Sequence, residues 1–194
     1  MSKIVSPTQV NYVPGRQIVD NIIIAHEVLH KFKTSKGKNG FIAWKIDLSK
    51  AYDRLQWHFI KDVLWEARIR EKLSHIINGA IIAKKWKPIK VARGGAAISH
   101  LFFADDLILF GEANIQHATI MHDCLETFCG LSGQQVNFEK SKIFCSLNTD
   151  RAIARQIAAT SGSPLTNSLG SYLGVPLIHF RVNKDTWSHV VMKV

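Results

Sequence analysis

Cysteine is scarce in this chain. Only Cys124, Cys129 and Cys145 occur among 194 residues. Their number is odd and they lack metal-ligand spacing, which argues against a disulfide framework or a zinc ribbon. The expectation is buried thiols in a reducing, intracellular compartment, nuclear or cytoplasmic. No apolar run reaches the roughly 18 residues of a membrane span, so no membrane partner is expected. The first residues, Met1-Ser2-Lys3-Ile4-Val5, lack the pattern of a secretory signal. Internal repeats, low-complexity segments and the glycine fingerprint of a doubly wound nucleotide-binding fold are absent too. The nearest thing to a linker is the polar, basic loop from Thr34 to Gly40.

The composition that remains is that of a globular domain, 46% hydrophobic and 21% charged. The chain is long enough for one domain with a real core. Lys and Arg number 25 against 15 Asp and Glu, a net charge of +10 with pI near 9.7. That balance suits a polyanion bound in a salt-dependent way, although many basic proteins bind nothing specific.

Periodicity predicts helices over 18–32, 56–67, 73–83, 115–129 and 150–159, with a last one from Lys184. Asn114 is placed to cap the fourth, and Gly130 or Gly133 to end it. Strands are predicted over 41–47, 98–103, 107–110, 136–138 and 142–146, with 86–93 extended, Gly94-Gly95 turning the chain and Pro164 to Gly170 a loop. This reads as an α+β fold, a helix-backed, mostly antiparallel sheet.

Chemistry concentrates at two places. In Leu101-Phe102-Phe103-Ala104-Asp105-Asp106-Leu107-Ile108-Leu109-Phe110, two acids join two apolar runs of strand length. Asp favours tight turns, but two charges at the tip of a buried hairpin are costly unless offset. Mg²⁺ offsets them well, since it takes a few carboxylates plus substrate phosphates. A third acid, Asp47, ends the strand Phe41-Ile42-Ala43-Trp44-Lys45-Ile46-Asp47. Three carboxylates around two Mg²⁺ ions about 3.5–4 Å apart suit in-line nucleotidyl transfer. A surface turn is the plainer reading of Asp105-Asp106 taken alone.

Ile46-Asp47-Leu48-Ser49-Lys50-Ala51-Tyr52-Asp53 resembles motif A of reverse transcriptases, in the style of LINE-type (non-LTR) retrotransposons of plants, and Phe103-Ala104-Asp105-Asp106 resembles their motif C. Gln9 to Asn21 resembles the fingers segment before motif A, Leu131 to Lys142 resembles motif D, and Tyr172-Leu173-Gly174-Val175-Pro176-Leu177 resembles the element after the palm. The five segments stand in family order. The resemblance implies a palm-like fold: residues 1–40 a partial fingers segment, 41–147 the palm, and 148–194 the start of the thumb or connection. It implies an RNA-directed DNA polymerase using two Mg²⁺ ions, an RNA template, a DNA primer and deoxynucleotides. Asp47, Asp105 and Asp106 would be the metal ligands. Tyr52 would pack under the incoming sugar, Lys140 would protonate the leaving pyrophosphate, and Arg16 would touch template or nucleotide.

A family element is missing between motifs A and C. Motif B, an Arg-Gln-Gly-Asp-Pro-x-Ser-Pro stretch opening a helix between motifs A and C, does not occur; Trp65-Glu66-Ala67-Arg68-Ile69 runs directly into Arg70-Glu71-Lys72-Leu73. Catalysis that depends on exact placement of the reacting atoms tolerates such a loss poorly. The expectation is therefore a defective enzyme, with two alternatives: a non-catalytic basic nucleic-acid-binding module, or a translated pseudogene remnant.

Other features have ordinary readings. His26 and His30 stand at helical spacing without a third ligand. Trp44, Trp57, Trp65, Trp86 and Trp187 are expected mostly in the core. Lys84-Lys85-Trp86-Lys87-Pro88-Ile89-Lys90 is the best local nucleic-acid patch, with a solvated loop as its plain alternative.

Overall fold

A computed structural model describes residues 18–49, 69–92, 94–103 and 106–177. The helices predicted over 56–67 and from Lys184 lie outside these residues, as do Arg16, Tyr52, Asp105, Trp57, Trp65 and Trp187.

Helix α1 spans Ile18–Thr34 and leads through the polar loop into strand β1, Phe41–Ser49. Helix α2 is Ile69–Ile82. Short strands β2 (Ile89–Lys90) and β3 (Ala97–Ile98) pair about the turn at Gly94, whose φ of 78° suits glycine. Strands β4 (His100–Phe103) and β5 (Asp106–Glu112) form a hairpin in which Phe103 pairs with Asp106. Helix α3 (Ile115–Ser132) is followed by β6 (Gln135–Val136), β7 (Lys142–Cys145) and helix α4 (Arg151–Ser161). A last hairpin, β8 (Ser171–Tyr172) and β9 (Val175–Pro176), turns on Leu173 and Gly174, both at positive φ.

Among the described residues the main sheet has five strands. The path β4-β5-β1-β6 is antiparallel, and β7 also pairs antiparallel with β1. The predicted class, α+β with helices backing an antiparallel sheet, is what is found.

Alternation along β1 divides two apolar layers. Ile42, Trp44, Ile46 and Leu48 join Leu107 and Leu109 under Leu73, Ile77, Met121, Leu125, Phe128 and Ile157 of α2, α3 and α4. Ala43 joins Ile108 and Phe110 on the other face, against Ala25, Val28, Leu29 and Phe32 of α1 and Tyr172 of the last hairpin. Each large aliphatic or aromatic side chain so buried contributes roughly 1.5–3 kcal/mol.

Caps end the helices where residue chemistry allows. Asn114 Oδ1 accepts from the His117 N–H at 2.8 Å. Gly133, at φ 73°, closes α3, and its N–H donates to the Cys129 carbonyl. Asp150 Oδ1 accepts from the N–H groups of Ala152 and Ile153 at the start of α4.

Two predicted strands come out differently. The run 98–103 is broken at Ser99, where the chain leaves β2 for β5 and the Ser99 carbonyl accepts from the Phe110 N–H at 2.7 Å. The predicted strand 136–138 is only Gln135–Val136, because Asn137 begins a turn.

Candidate active site

β1 and β5 run side by side in a register that sets Asp47 directly opposite Asp106. Paired residues on adjacent strands share a face, so the acid predicted at a strand end and one of the hairpin acids are neighbours on the α1 side of the sheet. Asp47 is exposed, and Asp106 is partly so. Asp105, the sequence neighbour of Asp106, is not among the described residues.

The segment from Asn137 to Ser141 closes the other edge of β1 at the same point. β7 pairs with Ile42 to Lys45, β6 pairs with Leu48 and Ser49, and the register shifts between them. The turn bridges the gap. The Asp47 carbonyl accepts from the Asn137 N–H at 2.8 Å, and the Asp47 N–H donates to Ser141 Oγ at 3.0 Å. Asn137 Oδ1 accepts from the Lys140 N–H at 3.1 Å, and Ser141 Oγ donates to the Asn137 carbonyl at 2.8 Å. Lys140 is exposed, on a turn that hangs from the backbone of Asp47. Three of the six predicted site residues, Asp47, Asp106 and Lys140, are thus brought to one end of the sheet. The other three, Asp105, Tyr52 and Arg16, lie outside the described residues.

Lys45 was missed from the sequence, although its position two residues before Asp47 puts it on the same face. Its Nζ lies 3.3 Å from Asp106 Oδ1 and also donates to the Ser171 carbonyl of β8. Tyr172 follows, fully buried, its hydroxyl accepting from Asn21 Nδ2 of α1 at 3.4 Å. Burial, then the charge of Asp106, push the Tyr172 phenol well above its ordinary range, while the Asn21 hydrogen bond pulls the other way. Asn21 Nδ2 also reaches the Phe102 carbonyl at 3.5 Å, and its buried Oδ1 has no hydrogen-bond partner among the described residues.

The donor set fits a hard cation in kind: two carboxylates on residues paired across adjacent strands. It is incomplete in number. Among the described residues no group of three or more His, Cys, Asp or Glu side chains is placed to hold a metal. His26 and His30 accordingly have no third ligand there, and burial lowers the His26 imidazole.

The lysine patch behaves as a covered loop at its centre. Trp86 is buried, its Nε1–H donating to the Phe110 carbonyl at 2.9 Å, and Lys87 pairs with Glu112. Trp44 is likewise in the core, donating to Ser163 Oγ at 3.1 Å. Neither indole is free to stack on a base. Burial raises the thiols, Cys124 to about 11 and Cys145 to about 12, and it raises Cys129 as well. Among the described residues no helix is long and apolar enough to cross a membrane. No known protein-family profile matches the chain.

Proposed function

We propose that this chain is a palm-containing piece of a reverse transcriptase of the LINE-type (non-LTR) kind, defective for want of motif B. The single observation that carries the reading is the register pairing of Asp47 with Asp106. Two segments chosen for their likeness to motifs A and C share no sequence proximity, yet their acids meet. The turn bearing Lys140, chosen for its likeness to motif D, is tied to the backbone of that same Asp47.

In this reading the reaction is RNA-templated addition of a deoxynucleotide to a primer 3′-hydroxyl. Asp47, Asp105 and Asp106 would hold two Mg²⁺ ions. The chemistry those ions supply when bound is charge stabilisation on the attacking and leaving oxygens of an in-line displacement. Lys140 gives a proton to the departing pyrophosphate, Tyr52 packs under the incoming sugar, and Arg16 steadies template or nucleotide. Residues 1–40, 41–147 and 148–194 correspond to partial fingers, palm and the start of the thumb.

A second reading is a basic nucleic-acid-binding module without catalysis, and Lys45 favours it. An ammonium 3.3 Å from Asp106 Oδ1 neutralises that carboxylate without a metal and competes with one. It predicts salt-sensitive binding that survives Asp105→Asn.

Primer extension on an RNA template with Mg²⁺ tests the proposal. The chain as it stands is expected to extend at or near background. A chain with a motif B segment restored between Ile69 and Arg70 is expected to extend the primer, and Asp105→Asn/Asp106→Asn to abolish that gain. A restored chain that folds, binds primer–template and still adds nothing would sink the enzyme reading and leave the binding module.

A further inference from the structure

At the far end of β1 from Asp47, roughly 20 Å along the strand at its ordinary rise, a second site is built from α1, β7 and α4. Phe41 marks this end: its N–H donates to Ser146 Oγ at 2.7 Å, and its carbonyl accepts from the Ser146 N–H. Beside Ser146 opens a cavity of about 880 Å³, within the size range of small-molecule sites. Lys33 from the last turn of α1 and Arg151 and Arg155 from the first turns of α4 line it, and no Asp or Glu does. No salt bridge to any of the three cations is found among the described residues. Asp150, next in sequence, has its Oδ1 engaged by the helix N–H groups of Ala152 and Ile153.

The placement of these charges runs against local electrostatics. Arg151 and Arg155 are four apart, so they share one helix face as like charges, which costs about 0.2–0.5 kcal/mol. They also stand at the positive end of the helix dipole, in a helix whose first turn has no acid. An anion bound between them relieves both conflicts. Apolar side chains also line the cavity, and two large ones on its wall are left to solvent, Leu147 at 80% and Leu165 at 43% exposure. The hydroxyls there are engaged internally: Ser146 Oγ with the Phe41 N–H and Asn148, Thr166 Oγ1 with the Ser168 carbonyl. The charged donors lining the cavity are the two guanidinium forks, suited to bidentate phosphate contact, and the Lys33 ammonium.

We propose that the cavity between the C-terminus of α1 and the N-terminus of α4 binds a nucleotide phosphate, with Arg151, Arg155 and Lys33 on the phosphate and Leu147 and Leu165 against the base. The nucleotide is either free or part of a single strand. The site is remote from the carboxylates and does not depend on their role.

The test is binding by the whole chain in EDTA, using a fluorescent ATP analogue in one arm and a labelled ten-nucleotide single strand in the other. Binding in the first arm marks a free nucleotide; binding in the second alone marks a strand. Arg151→Glu/Arg155→Glu is expected to weaken binding at least tenfold. For the strand, its slope of log K on log salt should fall from about −2, for three phosphate contacts, to about −0.7 for one. Leu147→Ser, at a position too exposed to affect folding, should weaken the nucleotide several-fold and leave pyrophosphate unchanged. Lys72→Glu, a charge reversal on α2 away from the cavity, should alter binding less than twofold. Binding in neither arm, equal weakening by both charge reversals, or pyrophosphate competing as well as the nucleotide would each overturn the proposal. Asp47→Asn is expected to leave this binding intact, so its result stands apart from the polymerase test.

Discussion

Lowering the pH from 7 to 4.5 should destabilise this fold through His100 in particular. His100 begins β4 and is 1% exposed, its Nε2 2.9 Å from Ser74 Oγ of α2 and its Nδ1 2.9 Å from Ser99 Oγ. Hydroxyls can serve a neutral ring well, one accepting and one donating. A charged ring in the same place has lost its water, and burial pulls the imidazole from 6.5 down to about 4. The unfolded chain protonates His100 near 6.5 while the folded chain refuses the proton until about 4. The stabilisation is therefore complete above pH 6.5 and is lost as pH falls through that window. Each tenfold loss of proton affinity on folding is worth about 1.4 kcal/mol, so the whole effect is about 3 kcal/mol. That is a sizeable share of the roughly 5–15 kcal/mol typical of a domain. Urea unfolding at half-unit steps from pH 7.5 to 4.5 measures it. His100→Leu is expected to be less stable at pH 7, because the Ser74 and Ser99 hydroxyls lose their partner. Its stability should also fall less steeply with acid, by about 1.4 kcal/mol per pH unit below pH 6. His26 and His117 are lowered by burial in the same sense, so both proteins keep some acid sensitivity. Parallel pH profiles for the two proteins would refute the reasoning.

Two further outcomes are expected. Gly40→Ala should cost about 1–3 kcal/mol in thermal or urea unfolding, since a Cβ there overlaps Thr149 Oγ1 and comes within 3.0 Å of the Thr149 Cα; a variant as stable as the parent would show that the β1 entry yields easily. The Cys145 thiol, half-buried and raised from 9.0 to about 12, should react with a disulfide reagent at pH 8 roughly a thousandfold more slowly than an ordinary thiol until denaturant is added; prompt labelling of the folded chain at Cys145 would refute the raised thiol.

Much of this architecture was legible in the residues because the signals were long. The aromatic and β-branched run from Phe41 announces β1, and the 3.6-residue pattern announces α1 and α3. Asn114 and Asp150 mark helix starts by the chemistry of their side chains. Gly133 rather than Gly130 ends α3, and only Gly133 takes the left-handed conformation. What was not legible depends on pairing. β6 and the last two residues of β1 exist because they bond to each other, and two-residue strands carry no periodicity. The break at Ser99 is a change of partner, not of propensity. At the candidate site, the acids were visible as types in a pattern, but their adjacency is a register, which a single chain does not display. Lys45 could have been found by alternation alone. Asn21 and Tyr172 could not, because they meet each other from a helix and a hairpin far apart in the sequence, and only Tyr172 feels the charge of Asp106. The cavity beside α4 is equally a product of packing, although Arg151 and Arg155 at the wrong end of a helix were its one sequence-level sign.

The position of β1 has a consequence for how the protein is made. Among the described residues its partners, β5, β6 and β7, come later in the chain, and the bond from Phe41 N–H to Ser146 Oγ spans 105 positions. Its buried face, Ile42, Trp44 and Ile46, leaves the ribosome before any of these three strands. During synthesis at roughly 5–20 residues per second, that apolar strand waits on the order of ten seconds for its last partner. Sheets assembled from such distant pairings fold slowly. A nascent chain of this kind depends on being shielded while it waits, and its yield on expression should follow chaperone supply more closely than the stability of the finished fold.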